Sequence, residues 1–70
     1  MPLSFAQPGQ TGVIRRITGR DEARRHLENL GFVAGEQVTV ISELNGSLIL
    51  QLRDGRVALD RALAARILVA

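Results

Sequence analysis

Between Gln37 and Leu59 apolar residues recur at every second position in three runs, Val38/Val40, Leu48/Leu50/Leu52 and Val57/Leu59, and the runs are separated by Asn45-Gly46 and Asp54-Gly55. A period of two puts every second side chain on one face of an extended strand, and Asn-Gly and Asp-Gly accept the backbone of tight hairpin turns. The stretch is predicted to be a three-stranded meander with strands at about 37–43, 47–53 and 56–59. The apolar pattern also tests the register. A two-residue turn at Asn45-Gly46 pairs Thr39 with Leu52 and leaves Val38 and Val40 on the face of Gln51 and Arg53. A three-residue loop, Leu44-Asn45-Gly46, with Gly46 left-handed beside a bulge, pairs Val38 with Leu52 and Val40 with Leu50. It gathers the apolar residues on one face and is the expected solution. At Asp54-Gly55 a two-residue turn pairs Leu52 with Val57 and Leu50 with Leu59.

The flanks supply the remaining elements. Pro8-Gly9 suits a type II turn, followed by a strand from Val13 to Ile17 with Val13, Arg15 and Ile17 on one face. Residues 21–30 read as the single real helix, with Ala23, Leu27 and Leu30 as its apolar stripe. Asp21/Arg25 and Arg24/Glu28 are opposite-sign pairs four residues apart, and Thr18 or Asp21 is the expected N-cap. Gly31 suits the left-handed position after the helix, with Phe32 packing back on Leu27. Val33-Ala34-Gly35-Glu36 is a second turn. Asp60 is placed to cap a helical turn at 61–65, and Ile67-Leu68-Val69 is a last short strand. The expected fold is mostly β: one domain, 1–70, forming a small SH3-like barrel of about five short strands. With no Cys, no disulfide stabilises so short a chain, and the core must be aliphatic because Phe5 and Phe32 are its only aromatics.

Charge points away from several functions. All nine basic residues are Arg, so a sequence pI of 11.1 reflects the absence of Lys and Tyr, while the net charge at pH 7 is only +2. Arg15-Arg16 and Arg24-Arg25 lack neighbouring aromatics for base stacking, so nucleic-acid binding is not expected. No apolar run is long enough to span a bilayer and no charged leader precedes one, so a cytoplasmic protein without membrane insertion is expected. The lone His26 has no hydroxyl at helical reach, which leaves no nucleophile–base pair and hence no expected catalysis. Glu22 and His26, one helical turn apart, are two metal ligands without a third, so no metal or other cofactor is expected. The chain has neither a Lys nor a phosphate-binding glycine loop.

What remains is a surface for binding another macromolecule. In Gly31-Phe32-Val33-Ala34-Gly35 two adjacent apolar residues share a loop, and one face cannot bury both. This segment, with Arg15 and Arg16, forms the candidate contact set.

The segment Leu30-Gly31-Phe32-Val33-Ala34-Gly35, together with Leu3-Ser4, Pro8-Gly9, Gly12-Val13, Val38, Ala58-Leu59, Ala65 and Ile67, resembles the FeoA family over nearly the whole chain. Ala34 stands where that family usually has Pro, and the Asn45-Gly46 hairpin is shorter than in many members. The resemblance implies an SH3-like barrel, no catalysis, and a role in bacterial ferrous-iron uptake exerted through FeoB, a membrane transporter with a cytoplasmic GTPase domain. The same domain type ends iron-dependent repressors, which gives the alternative reading of a nucleic-acid-associated or repressor-type module. A chain opening on its own Met1 fits the accessory protein better.

Overall fold

All 70 residues, Met1–Ala70, are described by the computed structural model. A 3₁₀ turn at Leu3–Phe5, not expected from the sequence, precedes β1 (Thr11–Ile17) and α1 (Asp21–Asn29). The meander follows as β2 (Gln37–Leu44), β3 (Ser47–Leu52) and β4 (Gly55–Asp60). The short α2 (Arg61–Ala64) then leads into β5 (Ile67–Val69). The strands form one sheet in the order β4-β3-β2-β1-β5, antiparallel throughout. A flat sheet of this size would leave one apolar face wet. Here Ile14, Val38, Val40, Leu48, Leu50, Leu52, Leu59, Ile67 and Val69, drawn from all five strands, meet in one buried cluster. The molecule measures 28 × 23 × 22 Å, so the sheet curls around its own core. Leu3, Leu27, Phe32 and Ala64 complete that core from outside the sheet.

The first hairpin reconciles the two registers weighed above. Its turn is the two-residue one: Leu44 pairs with Ser47, with Asn45 at φ 51° and Gly46 at φ 81°. Yet Val40 pairs with Leu50, because the register shifts between Val40 and Ser42. The extra residue expected in the loop is a bulge inside the strand, at Ile41, and the apolar face is assembled as the pattern requires. In the second hairpin Leu52 pairs with Gly55, Leu50 with Val57 and Leu48 with Leu59. The turn residues are therefore Arg53-Asp54 rather than Asp54-Gly55. The offset of two keeps every side chain on its expected face.

Strict alternation also fails in β1. Ile14 is fully buried and Ile17 packs on the core, whereas Val13 is 45% exposed. A bulge between Ile14 and Arg16, where β1 pairs with β5, turns two residues of opposite parity to one side. Gly12 lies opposite β5, where a Cβ would stand 3.1 Å from the Val69 Cβ. A larger residue here would require β5 to give by a few tenths of an ångström.

Helix α1 starts without either expected cap. Arg20 is the N-cap residue and its side chain makes no capping bond. The Thr18 hydroxyl instead donates to the Arg66 carbonyl at 3.3 Å, and Asp21 accepts from Arg24 at 2.8 Å, an i,i+3 pair in place of the two i,i+4 pairs expected. Asp60 does cap α2, accepting from the Leu63 amide at 2.8 Å.

Candidate functional site

The end of α1 builds the first candidate surface. The Phe32 amide donates to the Leu27 carbonyl (3.0 Å) and the Gly31 amide to the Glu28 carbonyl (3.0 Å), with Gly31 at φ 108°. These are the two bonds of a Schellman ending. They drive Phe32 fully into the core beside Leu27. The chain then turns through Val33-Ala34-Gly35-Glu36, closed by the Glu36 amide on the Val33 carbonyl at 3.1 Å with Gly35 at φ 92°. Ala34 occupies the place that accepts Pro. Because Phe32 points inward, its neighbour points out, and Val33 is 38% exposed.

Leu30 is 37% exposed beside it, contrary to its expected place in the core stripe. Leu30 is the C-cap residue, still in helical geometry, and of the end of α1 and the loop after it only Leu27 and Phe32 enter the core cluster. Leu30, Val33, Leu52 and Val57 form the apolar lining of a groove of about 320 Å³ between the helix end and the β3–β4 turn. Glu36, Arg53, Asp54 and Arg56 supply its polar lining. Glu36 and Arg53 stand 3.8 Å apart, and Arg56 donates to the Gln51 side chain at 3.0 Å. Apolar residues ringed by two acids and two arginines, whose charges cancel, suit a protein contact better than a charged ligand.

The expected contact set does not form one site. Gly31 and Val33 line this groove; Phe32 lies beneath it. Arg15, Arg16 and Ala34 border a separate cleft of about 660 Å³ between β1 and α1, together with Arg24 and Glu28. Gly35 faces a third hollow, shared with Gln37, Thr39 and Gln51. Sequence reasoning missed Leu30, Leu52 and Val57 as groove residues, since each also satisfies a core pattern. Glu22 and His26 are both exposed on α1, and no three His, Asp or Glu side chains stand close enough together to hold a metal ion. No helix is long and apolar enough to cross a membrane.

A family model described as the FeoA domain matches residues 1–70. The chain is 31% identical to a Methanocaldococcus jannaschii protein named for Fe(2+) transport as protein A, across 97% of this chain and 83% of that one. It superimposes on the crystal structure of an iron uptake regulatory protein, FeoA, with a TM-score of 0.91 and 30% identity, covering 99% of this chain and 93% of that one. Against Stenotrophomonas maltophilia FeoA complexed with zinc, described as a procaryotic SH3 domain protein, the TM-score is 0.87 and the identity 29%, covering 100% and 89% of the two chains. The curled sheet described above is thus the SH3-like fold that the strand pattern predicts.

Proposed function

The chain belongs to the FeoA domain family of non-enzymatic proteins associated with ferrous-iron transport, and from that premise we propose that it acts as an accessory or regulatory protein by binding the FeoB transporter on its cytoplasmic side. The observation that carries this reading is the pair of exposed apolar residues, Leu30 and Val33, held at the lip of a preformed groove by the Schellman ending. Apolar side chains at a rigid loop cost water contacts in the free protein and lose that cost when a partner covers them. The groove lining from Leu52 and Val57 continues the apolar surface, and the Glu36–Arg53 pair leaves no strong excess charge there. The contact is proposed to centre on Leu30, Gly31 and Val33, with Phe32 supporting it from below and Ala34-Gly35 fixing the turn that presents Val33.

The test is retention of detergent-solubilised transporter on the immobilised chain, with and without GTP. The intact protein is expected to retain it. Val33→Asp is expected to leave the melting midpoint nearly unchanged, because exposed substitutions usually shift stability by less than about 0.5 kcal/mol. Retention should nevertheless fall at least about tenfold, since the new carboxylate would be desolvated without a partner in the interface. Full retention at an unchanged midpoint would take this loop out of the contact. Failure of the intact chain to retain the transporter in either nucleotide state would sink the reading as a whole.

A further inference from the structure

The cleft between β1 and α1 differs in kind from the groove by Val33. The segment 15–28, with Arg66 folded against it, carries six Arg (15, 16, 20, 24, 25 and 66) against three acids (Asp21, Glu22, Glu28), a net +3. The rest of the chain holds three Arg against four acids, a net −1. The cleft itself is bordered by Arg15, Arg16 and Arg24 against the single acid Glu28. Arg53 and Arg61 elsewhere are paired with Glu36 and Glu43. Of Arg15, Arg16, Arg24 and Arg66, only Arg24 has an ion pair, with Asp21. Arg15 and Arg16 are consecutive yet both border the cleft, as the bulge between Ile14 and Arg16 permits. Arg66 reaches the same margin over Gly19, whose backbone sits at φ 113° and has no side chain to obstruct the guanidinium.

The second observation is a strand edge. The β1–β2 ladder ends at Val13–Gln37, and only the bonds joining Ile14 to Glu36 and Gly35 follow it. From Arg15 to Ile17, β1 is paired on one edge, to β5, and its other side borders the cleft. Charged residues on an edge can serve merely to discourage pairing. That role needs neither a cleft nor arginines converging on it from α1 and from the approach to β5.

We propose that this cleft binds an extended acidic segment of a partner protein, laid along the open edge at Arg15–Ile17. Its backbone would extend the sheet while its carboxylates pair with Arg15, Arg16 and Arg66. Guanidinium groups match carboxylates through paired parallel hydrogen bonds, and an extended chain presents alternate side chains to one wall. The apolar lining, Ile17 and Ala34, suits small apolar residues alternating with the acids. The proposal is independent of which protein carries the segment and of the Val33 groove.

A blocked octapeptide of alternating Glu and Val, titrated into the ¹⁵N-labelled chain, tests it. Expected are amide shifts confined to residues 15–19, Arg24 and Arg66, and affinity at least about tenfold weaker in the Arg15→Glu/Arg16→Glu double variant. The Arg15→Gln/Arg16→Gln pair serves if the first melts early, and Arg61→Gln, outside both the cleft and the Val33 groove, should bind as the unmodified chain does. Affinity should also fall as salt rises from 50 to 200 mM, as for any charge-led contact. Equal binding of the Lys-Val counterpart, shifts centred on Val33, or no binding at millimolar peptide would overturn the proposal. So would tighter binding of duplex DNA or of phosphatidylglycerol vesicles, which would make the face a general polyanion surface.

Discussion

Gly31 and Gly12 show two different reasons for a glycine within a few ångströms of the same core. Gly31 is required by its dihedral: at φ 108° a side chain is strained whatever the space around it, and a Cβ would also meet Leu52 Cδ1 at 3.3 Å. Gly31→Ala should cost about 1 kcal/mol, most of it the conformational penalty at the helix ending. For a domain of this size that lowers the melting midpoint by about 4–8 °C. Gly12 has no such dihedral and is required by space. Its Cβ would press on the Val69 Cβ at 3.1 Å and the Ala70 carbonyl at 3.3 Å, neither of which is the free end of a flexible side chain. Gly12→Ala should destabilise by about 1–3 kcal/mol through overpacking. The two are separable by solvent-exchange rates. Gly31→Ala should loosen the amides of Leu30 to Val33 first, and Gly12→Ala those of β1 and β5. A midpoint unchanged by Gly12→Ala would mean that β5 slides away at no cost. The sequence alone identified the first glycine, because a Gly after an apolar helical stripe is a local signal. It could not identify the second, whose neighbour is 57 positions away in the chain.

At the scale of elements, what was legible was parity and what was not was offset. The face carrying Val38, Val40, Leu48, Leu50, Leu52 and Leu59 is buried as the alternation predicts. A one-residue error would have exposed all of them, so the pattern constrains parity strongly. It constrains an offset of two not at all, which is why the Arg53-Asp54 turn was misplaced without moving any side chain to the wrong face. Bulges escape for a related reason. The insertion at Ile41 and the one beside Arg15 each restore a burial pattern that simple alternation would break, and nothing in residue type distinguishes a bulged Ile or Arg from a regular one. The site suffered more than the fold, since its groove joins the helix ending to a turn whose position depends on that offset. Caps divide the same way. Asp60 adjoins its helical turn with no alternative, and its carboxylate takes the Leu63 amide. Thr18 is drawn instead to Arg66 across the sheet. Asp60→Ala should therefore cost about 1 kcal/mol, read as a lower midpoint in urea with an unchanged slope. The Thr18→Ala variant should cost less, its longer bond lying at an exposed site.

The whole molecule poses the question of what holds 70 residues together without a disulfide. Thirteen buried apolar residues form one cluster, drawn from the 3₁₀ turn, both helices, the α1–β2 loop and all five strands. The two ends of the chain are tied in as well: the Met1 amino group donates to the Val69 carbonyl at 2.9 Å, and Val69 returns a bond from its amide to the Met1 carbonyl at 2.8 Å. No buried side-chain nitrogen or oxygen lacks a hydrogen-bond partner, so burial is not offset by unsatisfied polar groups. A metal could add to this stability only by binding the folded chain more tightly than the unfolded one. Glu22 and His26 lie on the exposed surface of one helix without a third donor close by, a placement that any helical fragment would reproduce, so folding improves a site there very little. Thermal unfolding is therefore expected to be superimposable in excess chelator, in zinc and in anaerobic ferrous iron, followed by far-ultraviolet circular dichroism. The Glu22→Ala/His26→Ala double variant separates the possible outcomes. A midpoint raised by metal in the unmodified chain and not in the double variant would establish those two residues as ligands and require a third donor, from solvent or a second copy. A rise of equal size in both would place the ion elsewhere, among the carboxylates of the loops.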